Sequence, residues 1–537
     1  MRTAHAAKDR ASRSAARASG RAEMRARPRA ESPAPGVAEP PAGIVQGLLA
    51  LLLAAVFLVR IGSQASRAMF YTDECFHAHA AQWIAAHHRL PGVMPELYSG
   101  FYYYYPPLLH ILGAMWIGLA GVDALPLLNV GFTALLLALL AFGLPPRRPS
   151  RAGVWAALLC LSSRALGTHS VRFYVEALLA LLTLCATLLL LRFWRTERVR
   201  DATWMGVAWM GVAAGLALLT KQTALLMLPA LVVLAALGAA RREWRRAAGV
   251  AAALGVALLL ALPMFVRNWK LFGDPIYPLF APDVDRALYA INVNHFAIPT
   301  ASFHRQSLAA AGPLVVAAGV LALVLAAVRR RATLETVLVA GIALAFAAAA
   351  RVPLADPRHL FPLIPALALL GALALSSAVG SRPLASRVAG IVLLACAALS
   401  VVRMPDYRAG LDVPPYLAEA YAAIRQDVPE GGTVLSLWTY DTFYYSRRSA
   451  TWPIPWGQRV RYTGLFHEKE PARFLAALDS ARIGYLLVPL WKPSEAFDGD
   501  NYPRSFIACV DSLGQSGRLR KLWESEWLML VARVPNS

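Results

Sequence analysis

The sequence predicts a polytopic α-helical membrane protein that carries a small soluble α/β unit at its C-terminus, and three observations predict it. Apolar residues make up 58% of the 537-residue chain and charged residues only 16%, against roughly 45–50% and about 25% in soluble globular proteins. The apolar residues come in long blocks, and the mean hydropathy is +0.48. The blocks end at Met404, beyond which the composition is of the mixed, soluble type. A soluble enzyme of several domains, which length alone would suggest, is thereby excluded.

Residues 1–42 hold nine Lys/Arg against four acids without apolar periodicity, and read as a disordered basic tail on the cytoplasmic side. Residues 43–404 are the membrane part. The first span is 43–61, with Arg60 placed to snorkel at its outer end. Residues 62–105 are mixed and aromatic and include an amphipathic stretch from Asp73 to His88. Apolar segments follow at about 106–121, 124–144, 152–168, 173–193, 202–240, 247–268, 310–328, 333–351, 358–378 and 387–404. The 202–240 segment would be about 58 Å long at ~1.5 Å per residue, nearly twice the hydrocarbon thickness of about 30 Å. It must therefore cross twice, and Lys221 marks the turn, because a Lys at the bilayer centre costs about 2.5–3.5 kcal/mol.

Segment 106–121 is short and begins Pro106-Pro107. Read as an interfacial or re-entrant helix, it leaves 145–151, 192–201, 241–246, 329–331 and 380–387 on the side of the tail, where the positive-inside rule puts basic loops. The expectation is about 11 spans in the inner (plasma) membrane, with the tail cytoplasmic. The loops at 62–123, 169–172, Lys221, 269–309 and 352–357 then lie outside.

The C-terminal residues 405–537 read as an extracytoplasmic α/β domain. Its expected elements are a helix from Pro415 to Val428, a strand from Thr433 to Trp438, a helix from Pro471 to Ala481, a strand from Ile483 to Val488, and a hairpin over Leu522 to Val534.

Several function classes fall away. The net charge of +21 is spread over the tail and short loops rather than one patch, so nucleic acid is not an expected partner. The five cysteines show no CxxC spacing, and Cys160, Cys185 and Cys396 lie in apolar segments, so neither a disulfide framework nor a cysteine metal site is expected. The long basic tail ahead of the first apolar segment argues against a removed signal peptide. No Gly-rich phosphate loop is present, which excludes an ATP-driven pump.

The outer loops carry the candidate chemistry. Tyr71-Thr72-Asp73-Glu74-Cys75-Phe76-His77-Ala78-His79 follows the first span. Thr72 and the two acids suit a helix N-terminus. Alternatively, one acid is a general base at the membrane surface. Adjacent helical residues diverge, so Asp73 and Glu74 do not form a shared-proton dyad. Asp73 and His77, at i,i+4, can share a face as an acid–His couple or as ligands to a divalent metal, and His79, His87 and His88 add further nitrogens. The run from Phe101 to Leu108 suits an aromatic anchoring belt, and Arg172-Phe173-Tyr174-Val175-Glu176 suits an i,i+4 salt bridge. Lys221, Arg267 and Arg358 are three cations on the face where cations should be depleted, which calls for an anionic partner such as a phosphate at headgroup depth.

These motifs in this order resemble the GT-C fold glycosyltransferases of the family 39, aminoarabinose-transferase and protein O-mannosyltransferase kind. The features that carry the resemblance are the acid pair, Tyr105-Pro106-Pro107 about thirty residues later, the Leu219-Thr220-Lys221 turn, Arg267-Asn268 leading to Gly273-Asp274-Pro275, and Arg358 before a Pro-rich span. The resemblance covers residues 43–404. It implies a polyprenyl-phosphate-linked sugar as donor, transferred with inversion to a hydroxyl of a lipid, glycan or protein. In the resemblance Asp73 is the catalytic acid residue and Glu74 its neighbour. Glu176 stands where the family usually shows Asp, and Lys221, Arg267 and Arg358 stand near the lipid phosphate. Tyr104-Tyr105 replace the Glu-Lys of aminoarabinose transferases, a departure that bears on both a metal site and the sugar. No cofactor is required by this chemistry, though His77 leaves room for a divalent metal. Competing readings are a lipid-linked glycan ligase or polymerase, a transporter or flippase, and a scaffold whose C-terminal domain binds a partner.

Overall fold

The structure is a computed structural model that describes residues 43–67, 70–71, 73–92, 103, 105–144, 150–195, 203–277, 300–329, 334–349, 357–408, 413–451, 465, 468–491 and 502–535. The tail 1–42, Thr72, Phe101, Tyr102, Tyr104, Arg147, Arg148 and Asp356, on which the sequence reading also drew, lie outside the described residues.

Seven helices among the described residues are long and apolar enough to cross a membrane: Ile44–Ala65, Val122–Phe142, Val175–Arg195, Gln222–Ala240, Trp244–Phe272, Arg358–Val379 and Pro383–Val402. The pair Ser302–Ala311 and Pro313–Val328, bent by 97°, makes an eighth span if it crosses as one. The rest of the apolar sequence forms shorter helices, among them Leu108–Ala120, Arg151–Leu161, Thr203–Leu218 and Leu334–Ala349. The 202–240 stretch is two helices: Thr203–Leu218 stops before Lys221 and Gln222–Ala240 follows it, and of the two the second is long and apolar enough to cross a membrane. Small residues let Thr203–Leu218 lie close on Trp244–Phe272. A Cβ on Gly211 would fall 2.6 Å from the Ala253 carbonyl oxygen.

Two expectations are corrected. The 152–168 segment is not one helix. It breaks at Ser162 and Ser163, whose hydroxyls bond to the carbonyls of Leu159 and Ala310, and short polar side chains that satisfy nearby backbone compete with helix continuation. The second piece, Arg164–Ser170, re-aims its side chains. The 269–309 loop contains helix Thr300–Ala311, and Gly312, at φ +89, turns the chain sharply into Pro313. The Arg60 guanidinium has protein partners: it donates to the Val402 and Met404 carbonyls at 3.2 and 3.0 Å, capping the C-terminus of the last apolar helix.

Beyond Met404, strands β1 (Thr433–Leu435), β2 (Ser449–Thr451), β3 (Tyr485–Pro489), β4 (Leu519–Glu524) and β5 (Leu528–Arg533) form one sheet in the order β2-β1-β3-β5-β4. β1 runs parallel to β2 and β3, and β5 is antiparallel to β3 and β4, with Leu487 opposite Leu530. Helices Pro415–Asp427 and Pro471–Ser480 fall where the apolar periodicity puts them. The strand expected over Thr433–Trp438 ends three residues early. Ser436 Oγ accepts the Trp438 N–H, which starts helix Thr439–Ser446 instead.

That helix matters for the site. It packs on helix Asp73–His87, where Tyr440 meets Phe76, Phe443 meets His79, and the Cys75 thiol donates to Asp441 Oδ1 at 3.1 Å. Helix Asp73–His87 is thus covered from both sides, with Leu108–Ala120 on its other flank. It is not the surface helix that its polar composition suggests.

Candidate active site

The site is built around the first turn of helix Asp73–His87. Two adjacent acids open this helix, where negative charge suits the N-terminal dipole. Because successive helical side chains point about 100° apart, the two carboxylates face different partners. The Asp73 carboxylate accepts from Arg358 at 2.8 Å, and both side chains are 30% exposed. Glu74 is 1% exposed, and its carboxylate accepts from Arg408 at 3.0 Å and from the Phe173 N–H at 2.9 Å. Asp73 is therefore the acid that solvent or substrate can reach.

Burial pushes the Asp73 carboxyl up, but the Arg358 guanidinium beside it overrides this and holds it below its ordinary 3.8. Burial pushes the Glu74 carboxyl above its ordinary value, and Arg408 offsets part of that rise. His77, one turn on from Asp73, is driven down to about 4 by burial, against the pull of Asp73.

A second ion pair sits close by. Lys221, at the turn between the two 202–240 helices, donates to Glu176 at 2.6 Å, and both are almost fully buried. This pairing replaces the Arg172–Glu176 bridge that the i,i+4 spacing allows. It also explains how an ammonium is tolerated at that depth, since leaving either partner unpaired is costly. Arg172 instead lays its guanidinium over the Tyr174 ring at 5.1 Å, and Arg358 approaches the same ring at 5.8 Å. Tyr105 stands edge-on to His77 at 5.0 Å and within electrostatic reach of Asp73 and Arg358.

A cavity of about 610 Å³ opens beside Arg358. Its polar lining comes from Arg164, Thr168, His169, Arg172, Gln306, Ser307 and Arg358, and its apolar lining largely from helices Pro313–Arg329, Leu334–Ala349 and Ile364–Val379. Ser307 Oγ and Arg172 Nε are buried there with no hydrogen-bond partner among the described residues.

Of the residues singled out in the sequence, Asp73, His77, Tyr105, Glu176, Lys221 and Arg358 are brought together. Two are not. Glu74 faces Arg408, and Arg267 donates to the Pro91 carbonyl at 3.1 Å and covers the Tyr103 ring at 5.6 Å, away from the cavity lining. Arg408, Tyr174 and Arg164 were missed. Arg172 and Tyr174 sit inside a motif whose i,i+4 charges suggest a salt bridge, and Arg408 lies past the last apolar block, where nothing local marks it. As for a metal, no group of three His, Cys, Asp or Glu side chains among the described residues is arranged to hold one, and His77 spends its Nδ1 on His110 at 2.7 Å.

The family model described as dolichyl-phosphate-mannose-protein mannosyltransferase matches residues 105–266. No curated protein matches the chain. ArnT from Cupriavidus metallidurans, solved with undecaprenyl phosphate bound, superposes with a TM-score of 0.60 at 15% identity over 91% of this chain and 97% of ArnT. The archaeal oligosaccharyltransferase AglB from Archaeoglobus fulgidus, solved with an inhibitory peptide and a dolichol phosphate, gives 0.62 at 12% identity over 87% of this chain and 72% of AglB.

The fold is the GT-C fold. A third GT-C structure, the mycobacterial arabinofuranosyltransferase AftD, matches over 93% of this chain with a TM-score of 0.52 at 18% identity, although the chain spans only 42% of AftD. The match agrees with the multi-pass helical body that carries a small C-terminal sheet.

Proposed function

We propose that the protein is a membrane glycosyltransferase that moves a sugar from a polyprenyl-phosphate donor to a hydroxyl of a lipid, glycan or protein acceptor, with inversion. The observation that carries this reading is the cavity, which joins cationic side chains to a long apolar lining. A polyprenyl phosphate needs both: guanidinium forks for the phosphate oxygens and hydrocarbon contact for the chain. The fold match and the matched family model support the same donor class.

In this reading Arg358, Arg164 and Arg172 hold the phosphate, and Tyr105 lies at the sugar. Asp73 takes the proton from the acceptor hydroxyl as that oxygen attacks the anomeric carbon. The new C–O bond forms as the anomeric carbon–phosphate oxygen bond breaks, and the departing phosphate carries its negative charge onto the guanidiniums. Preorganised cations in a site with little water stabilise that charge more than water does. The leaving group is already a phosphate, so the step needs no nucleotide or cofactor. Glu176 and Lys221 neutralise each other behind the site and set its field, and Glu74 fixes the helix that bears Asp73. The donor and the acceptor meet on the outer face of the inner membrane, the side opposite the basic loops.

The test is to incubate purified protein with a panel of radiolabelled polyprenyl-phosphate sugars and to measure released polyprenyl phosphate. Release that depends on Asp73 is the expected result. No release from any sugar, together with no binding of undecaprenyl phosphate, would reject the reading.

A further inference from the structure

A chain of three buried side chains runs behind the site and has no part in the mechanism so far. The Tyr103 hydroxyl is hydrogen-bonded to His110 Nδ1. His110 Nε2 is in turn bonded to His77 Nδ1 at 2.7 Å. Tyr103 and His110 are completely buried and His77 is 3% exposed. The three come from separate stretches: the segment before Pro106, helix Leu108–Ala120, and helix Asp73–His87.

The chain has a direction. A buried hydroxyl must place its proton on an acceptor or leave a hydrogen bond unmade at a cost, and among the described residues His110 is the only hydrogen-bond partner of the Tyr103 hydroxyl. Tyr103 therefore donates to His110 Nδ1. A neutral imidazole that accepts at one nitrogen carries its proton on the other, so His110 donates from Nε2 to His77 Nδ1. His77 in turn must carry its proton on Nε2. That atom makes no hydrogen bond among the described residues and is not among the buried polar atoms left without a partner, so the small accessible surface of His77 includes it.

We propose that Tyr103 and His110 are positioning residues that lock His77 in one neutral tautomer, so that it offers an Nε2–H to a substrate oxygen arriving beside Asp73. This rests on the transferase reading for the identity of the substrate, but the lock itself does not. The partner is a hydroxyl oxygen, either of the donor sugar or of the acceptor. The groups that face His77 are Asp73, Glu176, Lys221 and Arg358 by charge and Phe76, Tyr105, His110 and Tyr174 by their rings. The cations and the burial together keep the imidazole uncharged at neutral pH. A neutral donor has a chemical use here. An imidazolium would compete with Arg358 for Asp73, whereas a neutral N–H orients an oxygen and leaves the carboxylate free.

The experiment has two arms. In the first, full-length protein with isotopically labelled histidine is compared by NMR with Tyr103→Phe and His110→Phe. The wild type should show the His77 signal, assigned by its loss in His77→Gln, as the neutral Nε2–H tautomer at neutral pH. Either substitution should convert it to a tautomer mixture. An Nδ1–H tautomer or a charged ring in the wild type overturns the proposal, whatever the activity.

The second arm uses whichever polyprenyl-phosphate sugar of the panel is turned over. His77→Gln can accept from His110 through Oε1 and donate through Nε2, so it should retain most activity, while His77→Phe should lose about a hundredfold, the scale of losing one preorganised donor. A loss confined to binding of the sugar-bearing lipid, with bare undecaprenyl phosphate unaffected, assigns the oxygen to the donor sugar. A rise in the acceptor KM assigns it to the acceptor. Equal activity in His77→Phe and wild type overturns the recognition role. If the wild type turns over no sugar, the transferase reading fails and the NMR arm alone decides the lock.

Discussion

Asp73 and Arg358, 285 positions apart in the chain, meet at 2.8 Å at the only point where the acid-bearing helix and the last cavity-lining helix share exposed charge among the described residues. The arginine thus faces two ways, towards the candidate base and into the cavity. A phosphate drawn into the cavity competes with Asp73 for the same guanidinium, and a base relieved of its counterion is a stronger base.

The pH dependence follows from this pair. The folded-state value of Asp73 lies below its ordinary 3.8. Its stabilising contribution is therefore complete above that ordinary value and is lost only as pH falls through the lower, folded one. For the free enzyme, kcat/KM should show no acid limb from Asp73 between neutrality and about pH 5. Asp73→Asn, nearly isosteric but unable to take a proton, should remove transfer while leaving undecaprenyl phosphate binding in place. Full activity in that variant at wild-type expression would end its role as base.

Glu74 and Arg408 should behave as a structural strut. Both are nearly inaccessible, so Glu74→Ala, which takes the carboxylate away from a buried guanidinium, should lower stability by about 3–5 kcal/mol. Glu74→Gln with Arg408→Met should recover much of that loss, because both buried charges are then removed. Thermal unfolding of the three variants decides this. If Glu74→Ala unfolds like the wild type yet is inactive, Glu74 belongs to the chemistry instead.

Phosphate recognition separates the arginines. Replacing Arg358 or Arg172 with Ala should weaken undecaprenyl phosphate binding about tenfold or more, since a hydrogen bond to a charged group is worth about 1.5–3 kcal/mol. Arg267→Ala should change it little, because that side chain is committed to Pro91 and Tyr103. An Arg267→Ala effect as large as that of Arg358→Ala would put the phosphate elsewhere.

The apolar lining can be tested by volume. Val320 lines the cavity, and Val320→Trp would fill part of its roughly 610 Å³. Binding of long-chain undecaprenyl phosphate should fall, while a short-chain analogue such as citronellyl phosphate keeps its affinity. Equal losses for both would mean that the chain does not lie there.

Orientation has its own measurement. Single cysteines at Glu419 and Arg382, both exposed, should differ: an impermeant thiol reagent added outside intact cells should label the first and not the second. The reverse pattern would invert the topology and move the site to the cytoplasmic face.

The sequence by itself determined the polytopic helical body, the break of the 202–240 stretch at Lys221 and the start of the acid-bearing helix. Each of these follows from a local quantity: the length of an apolar run against a fixed bilayer thickness, or the periodicity of a few neighbouring residues. Only the tertiary structure decided partners. Nothing near Glu176 in sequence says that it binds Lys221 rather than Arg172, and nothing near Glu74 points to Arg408, more than three hundred positions away. The two adjacent acids look alike in sequence, but one is half-open beside a cavity and the other is sealed. That difference comes from what packs against each side chain, above all Arg408 and the Phe173 backbone against Glu74. The Tyr103–His110–His77 line was equally invisible, because a hydrogen-bonded series has no sequence period. Burial and counterion choice are long-range properties, set by which surfaces remain when the apolar segments have packed, and a linear reading sees only the segments.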